Sequence, residues 1–201
     1  MRIVSGRDVV YGLITGLTTG IIADAILRYL GKSLPLGINT SVLIWLVPIL
    51  WILGVQLGYI LGVWFKPFVQ FGRFAAIGFA NALVDFGVLY LLIALTGLST
   101  GIAYALFKTL SFSVATVHSY FWNKIWAFQD SARGGSGEIG RFLVVALASV
   151  LVNVAAASIT IALRPAGFTT AAWAGVGAVV GSAVALIFSF TGFRVFVFRK
   201  K

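Results

Sequence analysis

The sequence predicts an all-α membrane protein of six transmembrane helices. Three observations carry that prediction. Hydrophobic residues make up 60% of the 201-residue chain and charged residues 10%, against about 25% charged in a soluble domain. Several charge-poor windows reach about twenty residues, the length that crosses a bilayer as a helix. The apolar runs are continuous rather than alternating, which favours helices over a closed β-barrel, the other structure that satisfies its backbone in lipid.

The first span is expected at 9–30. It holds Asp24 and Arg28 and shows no cleavage pattern, so it reads as a retained membrane helix rather than a signal peptide. Asp24 and Arg28, four apart, should pair near the outer surface. The second span is expected at 41–65. "GLITGLTTG" puts Gly12, Gly16 and Gly20 on one face, and "GVQLGYILG" does the same with Gly54, Gly58 and Gly62. Small residues at this spacing let backbones approach closely. The pattern is met either by packing helix 1 on helix 2 or by a homodimer seam. Four more spans are expected at 74–96, 101–122, 142–163 and 171–193. The connections carry Gly31, Pro35 and Gly37, then Lys66-Pro67, then Gly97, then "DSARGGSGEIG", then Arg164-Pro165-Ala166-Gly167. These are turn residues, because Pro removes a donor and Gly permits positive φ.

Orientation follows from the basic residues. One side holds Arg2, Arg7, Lys66, Arg73, Lys124, Arg133, Arg141, Arg194, Arg199, Lys200 and Lys201; the other holds Arg28, Lys32 and Arg164, and Lys108 lies within a span. Eleven against three places both termini in the cytoplasm and the protein in the cell membrane. Trp64, Trp122 and Trp126 fall at the inner interface, Trp45 and Trp173 at the outer one, the depth where an apolar ring with a polar N–H is most at home.

Composition also excludes function classes. The chain has no cysteine and one histidine, His118, which leaves no disulfide, thiolate site or histidine-rich metal centre, and no cofactor is expected. The net charge of +10 does not indicate nucleic acid, because the charges cluster at the ends of apolar runs and no soluble basic domain exists to carry a groove contact. There is no P-loop, Gly-x-Ser-x-Gly or paired-carboxylate motif, so a non-enzyme is expected.

The chain repeats itself. At an offset of 68, "GRFAAIGFANALVDFGVLYLLIAL" (72–95) falls on "GRFLVVALASVLVNVAAASITIAL" (140–163). Arg73-Phe74 meets Arg141-Phe142, and Leu83-Val84-Asp85 meets Leu151-Val152-Asn153. At an offset of 70, Lys124, Trp126 and Phe128 meet Arg194, Phe196 and Phe198. Residues 70–130 and 138–200 are thus two copies of one helical hairpin, entering from the same face as a parallel repeat. The expected organisation is an N-terminal two-helix hairpin (1–66) and a four-helix core (67–201).

"QFGRFAAIGFANALVDFGVLYLL", "FSVATVHSYFWNKIWAF", "GRFLVV" and "FSFTGFRVFVF" occur in that order over about 70–199. Together they resemble the GtrA-like family of small membrane proteins, which has four helices, an opening Gln-Phe-x-Arg-Phe and hairpins ending in Asn-basic-x-aromatic-x-Phe. Here Phe193 stands where the first copy has Asn123, and the N-terminal hairpin lies outside the four-helix pattern. The resemblance implies translocation, or assistance to translocation, of a polyprenyl-phosphate-linked sugar across the cytoplasmic membrane for surface glycan synthesis. The alternative it implies is a non-catalytic anchor or partner of a polyprenyl-phosphate glycosyltransferase. Membrane lipids, a glycosyltransferase and a second copy of the chain are the partners either role would involve.

Candidate site residues follow. Asp85 lies mid-span and Lys108 at a similar depth one span later. Intramembrane ionisable residues cost roughly 2.5–3.5 kcal/mol to insert and are functional by default. The two read as a buried ion pair, a polar lining for a headgroup, or a structural pair. Arg73, Arg141, Lys124 and Arg194 hold repeat-related positions at the inner ends of the core helices. They suit a lipid phosphate, although positive-inside anchoring explains every basic residue at once. Asn81, Asn123 and Asn153 fit helix–helix hydrogen bonds more readily than ligand contacts. His118 fits an interfacial donor, and of the five acids only Asp85 is expected deep in the core.

Single cysteines at Ser136 and Ser99 of this cysteine-free chain should label from opposite sides of the membrane, Ser136 from the cytoplasm. Labelling of both from one side would refute the six-span topology.

Overall fold

A computed structural model describes residues 4–130 and 135–198 of the chain. Arg2, Arg133, Arg199, Lys200 and Lys201, counted above for orientation, lie outside the described residues. Six α-helices form: α1 (Gly6–Tyr29), α2 (Val42–Leu61), α3 (Pro67–Thr96), α4 (Gly101–Trp122), α5 (Ser136–Ala162) and α6 (Thr170–Gly192). A short 3₁₀ turn, Pro35–Gly37, sits between α1 and α2, and single π turns follow α4 (Asn123–Ala127) and α6 (Phe193–Val197). The protein is an all-α, multi-pass membrane protein.

The helix positions match expectation, and two helices start early. α3 begins at Pro67, the favoured residue for a first helical position. α5 begins at Ser136, so the charged stretch before each expected span is itself helical. Gly97 ends α3 in the left-handed region, at φ +72°, with its N–H returning to the Ile93 carbonyl at 2.8 Å.

Five helices are long and apolar enough to cross a membrane on length and composition alone: α1, α2, α3, α5 and α6. α4 has the length, 22 residues, but carries Lys108, His118 and five serine and threonine side chains. It is made compatible with lipid locally. Thr109, Ser113 and Thr116 each donate to the carbonyl four residues back, at 2.7–2.8 Å, which leaves those hydroxyls needing no water.

The helices divide into two compact units, Met1–Gln129 and Asp130–Lys201. In the first, α3 touches α1, α2, α4 and the π turn. The N-terminal hairpin is therefore packed on the first repeat copy. The starts of α1 and α3 and the ends of α2 and α4 meet at the end bearing Arg7, Lys66, Arg73 and Lys124, called here the basic end. At the far end Asp24 accepts from Arg28 Nε at 2.9 Å and from Thr40 Oγ1 at 2.5 Å. Arg28 Nη2 donates to Ser41 Oγ. The expected Asp24–Arg28 pair thus forms and also ties α1 to the start of α2.

The two glycine faces have different partners. A Cβ on Gly16 would lie 2.5 Å from Pro48 Cα, and one on Gly20 would lie 2.8 Å from Ile44 Cα, so the first face packs on α2 as expected. The second face does not meet it. Gly58 faces the Phe68 carbonyl, where a Cβ would come within 2.7 Å, and Gly62 faces Val69. This places α2 against the start of α3, with Gly72 entering the same crossing. Two stripes of small residues make three helices pack, because each helix needs only one close approach.

In the second unit α5 and α6 pack antiparallel along their length. Phe142 stacks on Phe193 with centroids 4.5 Å apart and planes 9° from parallel. The repeat is visible in contacts. Phe74–Phe128 in the first copy, at 6.0 Å, has its counterpart in Phe142–Phe198, at 6.3 Å. Each π turn closes on its own Phe: Phe128 N–H to the Asn123 carbonyl at 2.9 Å, and Phe198 N–H to the Phe193 carbonyl at 2.8 Å. The twice-written aromatic–aliphatic–Phe ending is the sequence of this π turn.

Adding one methyl group tests the glycine crossings. Gly16→Ala should lower thermal stability in detergent by about 1–3 kcal/mol, since the clash is with backbone. Gly54→Ala, whose Cβ would have nothing within 4 Å, should be neutral or gain up to about 1 kcal/mol from helix propensity. Equal losses at the two positions would contradict the crossings described.

Candidate functional site

Two polar clusters lie in the first unit, one at mid-depth and one at the basic end. The mid-depth cluster joins α3 to α4. Lys108 Nζ pairs with Asp85 Oδ2, and Ser111 Oγ donates to Asp85 Oδ1 at 2.6 Å. The residues meet because Lys108 and Ser111 are three apart on one face of α4, opposite Asp85 on antiparallel α3. Ser111 is fully buried, whereas the Lys108 side chain is 40% exposed and that of Asp85 18%. Lys108 also lies 5.6 Å from the centre of the Phe86 ring. Asn81, one turn before Asp85 on the same face of α3, has its Oδ1 buried without a protein partner. The cluster therefore holds an open cation, a carboxylate with room for one more donor, and a free amide oxygen nearby.

Its counterpart in the second copy is neutral. Asn153 stands where Asp85 is, and Gly181, at the Ser111 position, approaches it so closely that a Cβ would lie 2.9 Å from Asn153 Oδ1. The same two positions meet in both hairpins. Charge is present in one of them and close backbone contact in the other.

The cluster at the basic end was not expected. Asp8, the third residue of α1, is 1% exposed. Its Oδ1 lies 2.7 Å from Arg73 Nε and accepts from Trp126 Nε1 at 2.9 Å. Its Oδ2 accepts from Ser5 Oγ at 2.6 Å, Tyr59 OH at 2.8 Å and Arg73 Nη2 at 3.0 Å. Arg73 Nη2 also donates to Tyr59 OH, and its guanidinium lies 5.7 Å from that ring's centre. Of the two acids Asp8 is thus the more deeply buried, a correction to the expectation that only Asp85 lies deep. The missed signal is local: Ser5-Gly6-Arg7-Asp8 is an N-cap pattern, in which Ser5 Oγ accepts from the Asp8 N–H at 3.2 Å. That pattern starts the helix early and turns Asp8 inward. Nothing local pointed to Tyr59 or Trp126.

The remaining expected residues are placed as follows. Arg73 is committed to Asp8 and is buried. Lys124 lies in the π turn, 5.8 Å from the Tyr120 ring centre. Asn123 is buried and bonds within its own helix, Nδ2 donating to the Ser119 carbonyl at 2.8 Å, with Oδ1 unpartnered. The extra residue of the π turn points Asn123 back at Ser119 rather than across to another helix. The His118 ring lies tilted against that of Trp122, with centroids 6.3 Å apart. Arg141 and Arg194 are exposed, each next to a member of the stacked Phe142–Phe193 pair of the second unit. The sites of Arg73 and Lys124 are one end of the first unit; those of Arg141 and Arg194 are one end of the second.

An apolar groove of about 410 Å³ runs between α1 and α3 towards the far end, lined by Ile22, Ala25, Tyr29, Val84, Gly87 and Leu91. Its walls are almost wholly hydrocarbon.

Comparison with known proteins gives the chain its relatives. A family model for the GtrA/DPMS transmembrane domain matches residues 73–200. The chain is also similar to the uncharacterized membrane protein YngA of Bacillus subtilis (strain 168), with 36% identity over 92 residues. That alignment covers 46% of this chain and 54% of the relative, so the chain spans about half the length of the curated relative it matches. The matched model begins at Arg73 and takes in both hairpin copies. The chain belongs to the GtrA/DPMS transmembrane-domain family.

Proposed function

We propose that the protein translocates a polyprenyl-phosphate-linked sugar, or assists its translocation, across the cytoplasmic membrane, with both termini on the cytoplasmic side. The observation that supports this reading is the unsealed ion pair of Asp85 and Lys108 at mid-depth. A structural pair facing lipid is expected to be shielded, because each charge left in hydrocarbon costs several kcal/mol. A pair whose cation is 40% exposed suits a path through which a polar headgroup passes. The groove lined by Val84 and Val88, one residue before and three residues after Asp85, would hold part of the isoprenoid tail while the sugar exchanges water for Asp85, Lys108, Ser111 and Asn81. Exposed Arg141 and Arg194 would meet the phosphate at the cytoplasmic surface, where Arg can bind two of its oxygens at once. The role is non-catalytic.

Sealed vesicles holding this protein alone and a labelled lipid-linked sugar test the reading. Movement of label between leaflets without a partner is expected. No movement unless a glycosyltransferase is added would favour the anchor role instead.

Asp85→Ala and Lys108→Ala should each destabilise the protein in detergent by roughly 1–3 kcal/mol, because each leaves an unpaired charge. The double variant should recover part of that loss. Transport should fall in all three, by about ten- to a hundredfold if one charge-assisted contact to the sugar is lost. Additive stability losses would argue against the pairing, and full transport by the stable double variant would remove the site.

A further inference from the structure

Asp8 leaves one buried donor beside it, Arg73 Nε, without a hydrogen bond. Four hydrogen-bond donors converge on it, Ser5 Oγ, Tyr59 OH, Arg73 Nη2 and Trp126 Nε1, all within 3.0 Å, while Arg73 Nε lies 2.7 Å from Oδ1 as an ion pair and makes no hydrogen bond. A carboxylate offers two oxygens and about four lone-pair sites. A phosphate monoester offers three terminal oxygens and up to two charges, and Arg binds such oxygens in a fork. The donor set therefore suits a phosphate at least as well as the group it holds.

The parts also have different owners. Arg73 and Trp126 belong to the first hairpin copy, within the part of the chain that the family model matches, and Tyr59 belongs to α2. Only Ser5 and Asp8 come from the first turn of α1. That turn is held besides by the Val4 N–H to Gln56 Oε1 and by Arg7 Nη2 to the Ile125 carbonyl, both at 2.9 Å. Helix ends open at far lower cost than helix middles, so this turn can leave while α2, α3 and α4 stay packed. In the second copy the positions of Arg73 and Trp126 are Arg141 and Phe196, both exposed, and no such pocket forms there.

We propose that Arg73, Tyr59 and Trp126 form a phosphate-binding site and that Asp8 is its tethered competitor, displaced when a phosphate headgroup enters. That the phosphate is a lipid's, the polyprenyl phosphate without its sugar, rests on the function proposed above; that the site takes phosphate does not. A tethered carboxylate acts at an effective concentration in the millimolar range, so the intact protein should bind weakly and release readily.

The test uses the full chain in nanodiscs and follows melting temperature and binding with inorganic phosphate, acetate and a polyprenyl phosphate. Asp8→Ala should melt lower than wild type, because Arg73 has lost its partner, and phosphate should restore the lost stability. Phosphate should bind Asp8→Ala at least about tenfold more tightly than wild type, a difference of about 1.4 kcal/mol, and the gain should vanish in Asp8→Ala/Arg73→Gln. Asp8→Asn, which keeps the shape, should show the same gain if Asp8→Ala does not fold. Tighter binding of the polyprenyl phosphate than of inorganic phosphate assigns the site to a lipid; equal binding assigns it to free phosphate. Restoration by acetate as effective as by phosphate, or a gain that survives Arg73→Gln, would overturn the proposal. So would wild-type affinity in both Asp8 variants. None of these readouts depends on transport, so this test and the vesicle assay can fail separately.

Discussion

Hydrocarbon offers a buried carboxylate nothing, so Asp8 must find every partner inside the protein. Its four hydrogen-bond donors come from the N-cap of α1, from α2, from α3 and from the π turn after α4. Each contact fixes one element of the first unit against the others. The close crossings elsewhere serve the same end. α1 comes within reach of α2 because Gly16 and Gly20 have no side chains, and α2 comes within reach of α3 because Gly58 and Gly72 have none. With bulkier residues there, Tyr59 and Arg73 would be held away from Asp8, and a charge with no water and no partner would remain. Packing and electrostatics constrain each other here.

The internal repeat shows what a hairpin of this kind requires and what it leaves free. Both copies keep the buried Phe that closes the π turn, and both keep the crossing at positions 85 and 111, or 153 and 181. These contacts build the hairpin. The charges do not. In the first copy the crossing carries Asp85, Ser111 and nearby Lys108; in the second it carries Asn153 and Gly181, packed tightly. Asn123 and Phe193 differ in the same way. Phe193 stacks on Phe142, while Asn123 turns to the Ser119 carbonyl and leaves Oδ1 unused. A hairpin that folds with Asn153 and Gly181 at this crossing shows that the crossing itself does not require charge.

Much of this was legible in the residues. The six helices, the Asp24–Arg28 pair and the Asp85–Lys108 pair rest on period, spacing and depth, which are local or nearly so. The reach of α3 back to Pro67 was not, because polar residues before the apolar run look like a loop until helix propensity is weighed against hydropathy. The partner of the second glycine face was not legible either: a small-residue stripe states that something approaches, without stating what. The basic-end cluster was hidden by its long range, since Asp8 and Trp126 are 118 residues apart. Asp8 also sits at the edge of the apolar run, where charges are usually solvated. Its N-cap pattern was the one available clue.

Two of the ion pairs of the first unit, Asp8–Arg73 and Asp85–Lys108, are alike in chemistry and opposite in setting. Asp8 and Arg73 have side chains 1% and 7% exposed, and their surroundings supply further donors, so the cost of removing both from water is met on the spot. Asp85 and Lys108 are 18% and 40% exposed, and Ser111 is the further donor to Asp85. Stability alone would favour sealing the second pair as the first is sealed, or replacing it with neutral residues as the second copy does. Leaving a cation partly open at mid-depth makes sense where that depth is periodically occupied by something polar. The groove beside it is apolar, which is the surface a ligand with a polar head and a hydrocarbon tail requires at the same depth. In the function proposed above, the open pair is what the packing of α3 on α4 would present to the ligand.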